Sequence, residues 1–258
     1  LQEIKQLRDL YVYESKIADG NLQYLPESLI RLSLERVEIS DEELNHIHRS
    51  PHLRGLNLFL TAVSDQGTKT LGELEELEEL TLEGSMVGEA TTRRLTNLDQ
   101  LISLNLIDSN INDAAMAHLR SLEQMQYLYL LNTPVTDLGL AHIAGMTDLI
   151  HLRLDATGVT GAGLVHMKDM TKLEWLSLDN TKVTDESLAN LKDMVNLEQL
   201  SLANTEVTDT GLKHLVGLDS LFMLSLSNTK VTDRGIQILR ELPKLERLEL
   251  DDTNVTPE

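Results

Sequence analysis

Cysteine is missing from all 258 residues. That excludes disulfides, a thiolate nucleophile and cysteine-ligated zinc or iron–sulfur sites. Basic residues are also scarce: 22 Lys and Arg stand against 42 Asp and Glu, a formal net charge of −20. A nucleic-acid binder needs clustered cations to neutralise phosphates, and a membrane-surface patch needs them to meet anionic lipid, so the balance argues against both classes. The imbalance is even along the chain, with 22 acidic and 11 basic residues in 1–129 and 20 and 11 in 130–258, so charge marks no domain boundary. No apolar run approaches the ~20 residues of a membrane span, and no stretch reads as a secretory signal. The chain starts at Leu1 rather than Met, and reads as a cut or processed piece whose compartment stays open. Aromatic residues make up 3% against 41% hydrophobic, which leaves leucine to build a repetitive aliphatic core.

That repetition has a fixed period. From Leu200 the chain reads LSLANTEVTDTGLKHLVGLDSLFM, and from Leu224 LSLSNTKVTDRGIQILRELPKLER. The same L-x-L start recurs every 24 residues from Leu32 to Leu248, and a 22-residue unit precedes it from Leu10. The whole of 1–258 is thus expected to be one repeat domain of ten full units with partial units at both ends. L-x-L alternates with the period of a strand, and V-T-D-x-G-L-x-x-L then switches to helical spacing. Thr184, Thr208 and Thr232 read as helix N-caps, followed by Asp185, Asp209 and Asp233 in a first turn whose dipole favours an anion. Thr133, Thr157, Thr181, Thr205, Thr229 and Thr253 form a column whose hydroxyls are expected to satisfy backbone groups where each strand turns away. The motif is most regular after Leu128; before it, Ser109-Asn110-Ile111-Asn112 and Ser85-Met86-Val87-Gly88 are drifted versions.

The pattern L-x-x-L-x-L-x-x-T-x-V-T-D-x-G-L-x-x-L resembles leucine-rich repeats over essentially the whole chain. It is closest to the bacterial 24-residue kind and to the cysteine-containing repeats of F-box proteins, with Thr where those families carry Asn or Cys. The resemblance implies an α/β fold: a right-handed horseshoe solenoid with a parallel sheet on the concave face and short helices on the convex face. It also implies a bacterial protein, cytoplasmic or exported. Neither end reads as a polar cap. Leu1, Ile4, Leu7 and Leu10 look like the tail of an earlier unit, and Pro257 suits a first helical position. The expectation is a trimmed longer protein, or ends that pack end to end on another copy.

Motifs for hydrolase, metalloprotease, phosphate-loop and dinucleotide chemistry are missing, so no catalytic residue, cofactor or metal is expected. The carboxylates Glu73, Glu75, Glu76, Glu78 and Glu79 read as a solvated connection between helix and strand. His46, His118, His142, His166 and His214 share one repeat position, and a ladder of imidazoles could bind a metal or sense pH. That column lies on the helical side and also accepts Thr70 and Ile238, so a tolerant, half-exposed position is the expected reading.

The residues that flank the paired leucines are expected to form three outward columns on the strand face. There the chain gathers Ile107, Tyr127, Tyr129, Leu131, His151, Arg153 and Trp175, including its only Trp and two of its five Tyr. Such a group has the composition of an interface hot spot; cross-strand packing that merely stabilises the sheet is the other reading. Tyr11, Tyr13 and Phe59 form a second, smaller candidate. The function expected is a non-enzymatic scaffold that binds a protein or peptide with a basic rim. The alternative is an accessory repeat domain of a larger enzyme or signalling protein, a ubiquitin-ligase substrate reader among them, whose activity lies elsewhere.

Overall fold

The computed structural model describes residue 4 and residues 6–256; Leu1, Pro257 and Glu258 of the expectations above lie outside them. The chain forms two compact units, Leu1–Leu128 and Tyr129–Glu258. In the first, β1 (Asp9–Tyr13), β2 (Arg31–Glu35), β3 (Gly55–Asn57), β4 (Glu79–Thr81) and β5 (Ser103–Asn105) pair in parallel and in sequence order. The units divide within β6 (Tyr127–Tyr129). In the second, β7 (His151–Arg153), β8 (Trp175–Ser177), β9 (Gln199–Ser201), β10 (Met223–Ser225) and β11 (Arg247–Glu249) pair the same way. Register follows the repeat: Leu10, Leu32, Leu56, Leu80 and Leu104 align in one unit, and Leu152, Leu176, Leu200, Leu224 and Leu248 in the other.

From Leu32 to Leu224 the leucine that opens each L-x-L start is at most 2% exposed, packed between identical neighbours as stacked repeats require. From β2 onward each strand is followed within three residues by one in the left-handed region: Arg36, Leu60, Asp108, Asn132, Ala156, Asn180, Asn204, Asn228 and Asp252 have φ between 52° and 57°, and Gly84 takes the same place. Asn and Asp tolerate that backbone, which explains the Asn column of the regular repeats. The threonine column then does what its position predicted. Thr133, Thr157, Thr181, Thr205, Thr229 and Thr253 each donate a hydroxyl hydrogen bond to the carbonyl three residues earlier, at 2.5–2.7 Å.

The segments opposite the strands are short. Asp209–Leu212 is a four-residue α-helix, Asp233–Leu239 has seven residues, and Gly163–Met167 and Asp185–Leu191 are 3-10 turns. Thr208 and Thr232 accept N-cap hydrogen bonds, and Thr184 and Ser187 form a reciprocal capping box.

The aspartates stand in the first turn as expected, and they make a further contact from there. Each carboxylate reaches into the following repeat and accepts two hydrogen bonds from the cap residue there. Asp137 takes the Thr160 amide at 2.8 Å and its hydroxyl at 2.6 Å; Asp185 takes the same groups of Thr208 at 2.7 and 2.6 Å; Asp209 holds Thr232, and Asp233 holds Thr256. Hydrogen bonds from the Thr256 amide and hydroxyl keep Asp233 below the usual carboxylate range. In the first unit burial opposes ionisation of Asp65, but the Thr91 hydroxyl, the Gly88 and Thr91 amides and the Arg94 charge outweigh it and hold its carboxyl low.

This contact also dictates the glycine of D-x-G. A Cβ at Gly163 would lie 2.4 Å from Asp137 Oδ1, one at Gly211 2.5 Å from Asp185 Oδ1, and one at Gly235 2.5 Å from Asp209 Oδ1. At these places the glycine makes room for the aspartate of the preceding repeat, a close approach rather than a turn. Not every pair follows this pattern: where Gly161 replaces the aspartate, Ser187 replaces the next glycine, and Asp65 faces Thr91, whose amide and hydroxyl it accepts.

Candidate functional site

The predicted strand-face residues fall on both units. Ile107 and Tyr127 belong to the first. Ile107 is 7% exposed and buried, which corrects the expectation that it points outward. The alternation that placed it there stops at Asn105, where β5 ends, and Asp108 already has φ 54°. Residues after the second leucine therefore lie beyond the strand and lose its period of two. Tyr127 opens β6 and is half-buried.

In the second unit Tyr129, His151, Arg153 and Trp175 form one cluster, all half-buried. Register places His151 beside Trp175 and Arg153 beside Ser177. The His151 ring meets Trp175 edge to face, with centroids 5.2 Å apart and planes at 85°. Tyr129 lies 6.4 Å from Trp175, and its hydroxyl is 3.4 Å from His151 Nδ1. The Arg153 guanidinium sits 5.7 Å from the Trp175 centroid, a cation–π distance. Burial pushes His151 below the ordinary imidazole range against the opposing charge of Glu174. Leu131 follows β6 and is half-buried.

Arg153 is held by a second contact that the sequence reading missed. Its Nε donates to Asp155 Oδ2 at 2.9 Å, and Asp155 also accepts from the Ser177 hydroxyl. Asp155 is only 4% exposed, and a carboxylate at that depth needs such a partner. One repeat later Asp179 accepts from the Ser201 hydroxyl at 2.5 Å and the Ala203 amide at 2.7 Å. The signal was in the sequence at an offset of 22. A polar residue after the second leucine pairs with the middle strand residue of the next repeat, as Glu35 does with Asn57 and Glu83 with Asn105.

Burial raises the Asp179 carboxyl above 3.8 despite those two hydrogen bonds, with Asp155 adding to the rise and Arg153 opposing it. A carboxyl raised in the folded state contributes stability below its unfolded value and loses that contribution as pH climbs through its folded value. At neutral pH the ionised Asp179 is thus a cost. Both hydrogen bonds go to Oδ1, so an amide retains them. Asp179→Asn is expected to melt at a higher temperature than the parent at pH 7, with the advantage gone near pH 3; a difference independent of pH counts against this account.

The other expected features are placed as follows. Tyr11 and Tyr13 stack on β1 at 6.5 Å with planes 3° apart, and Phe59 carries the Arg36 guanidinium 5.8 Å from its centroid. In the glutamate run, Glu76 pairs with His52 at 2.7 Å and Glu78 with Arg54 at 3.2 Å, both on the exposed surface. His46, His118, His166 and His214 are half-exposed and His142 exposed. Among the described residues no group of three or more His, Asp or Glu is placed to hold a metal, and no helix is long and apolar enough to cross a membrane.

No protein-family model matches the sequence, and no curated protein matches it. Solved structures do resemble it. An internalin (inlF) of Listeria monocytogenes superposes with a TM-score of 0.71 at 22% identity, over 99% of this chain and 84% of that one. Internalin C2 of the same species gives 0.62 at 27% identity, over 72% and 76%. A chain of an octameric complex of Latrophilin 3, Unc5D and the leucine-rich repeats of FLRT2 gives 0.68 at 17% identity, over 99% and 77%. The 24-residue period, the parallel in-register strands of each unit and these likenesses agree: the chain has a leucine-rich repeat fold.

Proposed function

We propose that this chain is a non-enzymatic interaction module that binds a protein or peptide on its strand face, with Tyr129, Leu131, His151, Arg153 and Trp175 at the centre of the contact. The observation that carries this reading is the cluster around Trp175. A Trp, a Tyr and an Arg share one half-exposed surface in which Arg153 is already oriented by a buried carboxylate. Anchors held in place before binding lose little conformational freedom on association. The bacterial 24-residue kind of repeat is the better of the two resemblances, since two of the similar structures are internalins. That FLRT2 was solved in complex with Latrophilin 3 and Unc5D supports a protein as the partner class. The net charge of −20 favours a partner with a basic rim and an affinity that falls as salt rises.

The test compares affinity capture by the parent chain with capture by Tyr129→Ala/Trp175→Ala, with a thermal melt of each. A species retained by the parent and lost by a variant that still melts cooperatively supports the reading. Equal retention by both overturns it.

A further inference from the structure

The first unit carries a separate depression on its strand face. Two rows of side chains cross β1 to β4 there: Asp9, Arg31, Gly55 and Glu79 in one, and Tyr11, Ser33, Asn57 and Thr81 in the other. Gly55 leaves a gap in the first row, and Ser33 and Asn57 are short in the second. The result is a cavity of about 210 Å³ with Tyr11 at one end and Glu79 at the other. Pockets for drug-sized ligands and cofactors run to about 300–1,000 Å³, so this one fits a single side chain. Its charges are two carboxylates, Glu35 and Glu79, and one guanidinium. Arg31 is already engaged with Asp9 at 3.2 Å. Glu35 is fixed in the wall by Asn57 Nδ2 at 2.8 Å and the Ser33 hydroxyl at 3.2 Å. The aromatic wall is oriented as well, by the stacking of Tyr11 on Tyr13.

We propose that this depression is a receptor for one lysine side chain of a protein partner. The alkyl stem lies along Tyr11 and over Gly55, and the ammonium donates to Glu35 and Glu79. A lysine satisfies every wall: three N–H donors for the carboxylates, an apolar stem for the gap, and a cation beside an aromatic ring. An acidic side chain meets two like charges there, and a neutral one brings no positive charge to either carboxylate. The inference stands on residues of the first unit alone and does not depend on the Trp175 cluster.

Gly55 supplies a test that changes no charge. Its backbone φ is not in the left-handed region, and a Cβ there would lie 3.4 Å from Arg31 Cγ, an ordinary contact. Gly55→Leu therefore fills the gap and leaves the net charge at −20. The probe is the blocked peptide acetyl-Gly-Gly-Lys-Gly-Gly-amide, titrated against the isotopically labelled chain and followed by amide chemical shifts. Peptides with norleucine or glutamate in place of the lysine are run alongside. The lysine peptide is expected to shift the amides of Ser33, Gly55 and Asn57 saturably, and the norleucine and glutamate peptides are not. Gly55→Leu is expected to weaken the response at least about tenfold and Glu79→Gln several-fold, while Tyr129→Ala/Trp175→Ala leaves it unchanged. Unmoved amides elsewhere in Gly55→Leu show that the fold is kept. The proposal is overturned if the lysine peptide gives no saturable shift, if Gly55→Leu responds as the parent does, or if the norleucine peptide binds equally well.

Discussion

Gly211→Ser is expected to destabilise the second unit by about 2–3 kcal/mol, and its combination with Asp185→Gly to cost less than the sum of the two separate losses. The new Cβ falls 2.5 Å from Asp185 Oδ1, 3.0 Å from Leu188 Cδ1 and 3.1 Å from Asp185 Cα. The carboxylate cannot retreat without surrendering the Thr208 amide and hydroxyl at 2.7 and 2.6 Å. Hydrogen bonds to a charged group are each worth about 1.5–3 kcal/mol, so Asp185→Gly alone is costly too, but for a different reason. Together the substitutions recreate the arrangement already present at Gly161 and Ser187. A double-mutant cycle by urea unfolding, read from the fluorescence of Trp175, should return a favourable coupling of at least about 1 kcal/mol. Additive losses would falsify the claim that the glycine exists to admit the neighbouring carboxylate.

Leu224→Ala should cost about 2–5 kcal/mol, whereas the equivalent Leu248→Ala should cost about 1 kcal/mol or less. Leu224 is fully buried between β9 and β11, while among the described residues β11 pairs with β10 alone and Leu248 is only half-buried. In stacked repeats each unit gains its stability from its neighbours, so the same substitution in the same motif measures how many neighbours are present. Equal losses at the two positions would mean that burial within a single repeat, rather than stacking, sets the energy.

The sequence made the periodic features legible. L-x-L alternation located strands at all eleven starts from Leu10 to Leu248, and Thr184, Thr208 and Thr232 were readable as caps, because both signals depend on neighbours within one repeat. Contacts between repeats were harder to see. Asp185 fitted a dipole argument within its own turn, while its true partner, Thr208, stands 23 residues away. Tyr129, His151, Arg153 and Trp175 lie together because strand stacking alone brings them there. The burial of Ile107 and Asp155 was missed because a three-residue strand ends before alternation reaches them.

The aspartate–glycine contact also limits how such a chain can be inherited and recombined. A 24-residue segment looks like an interchangeable module, yet each one is matched to the one behind it. Excision of the segment that holds Gly161 would bring Asp137 against Ser187, and a Cβ at that place meets the carboxylate at about 2.4 Å, as it would at Gly163. Excision of the segment that holds Ser187 would bring Gly161 against Gly211 and leave only a gap and lost hydrogen bonds. Gene rearrangement at this boundary is therefore directional, and the repeats that hold Gly161 and Ser187 move without mismatch only as a pair.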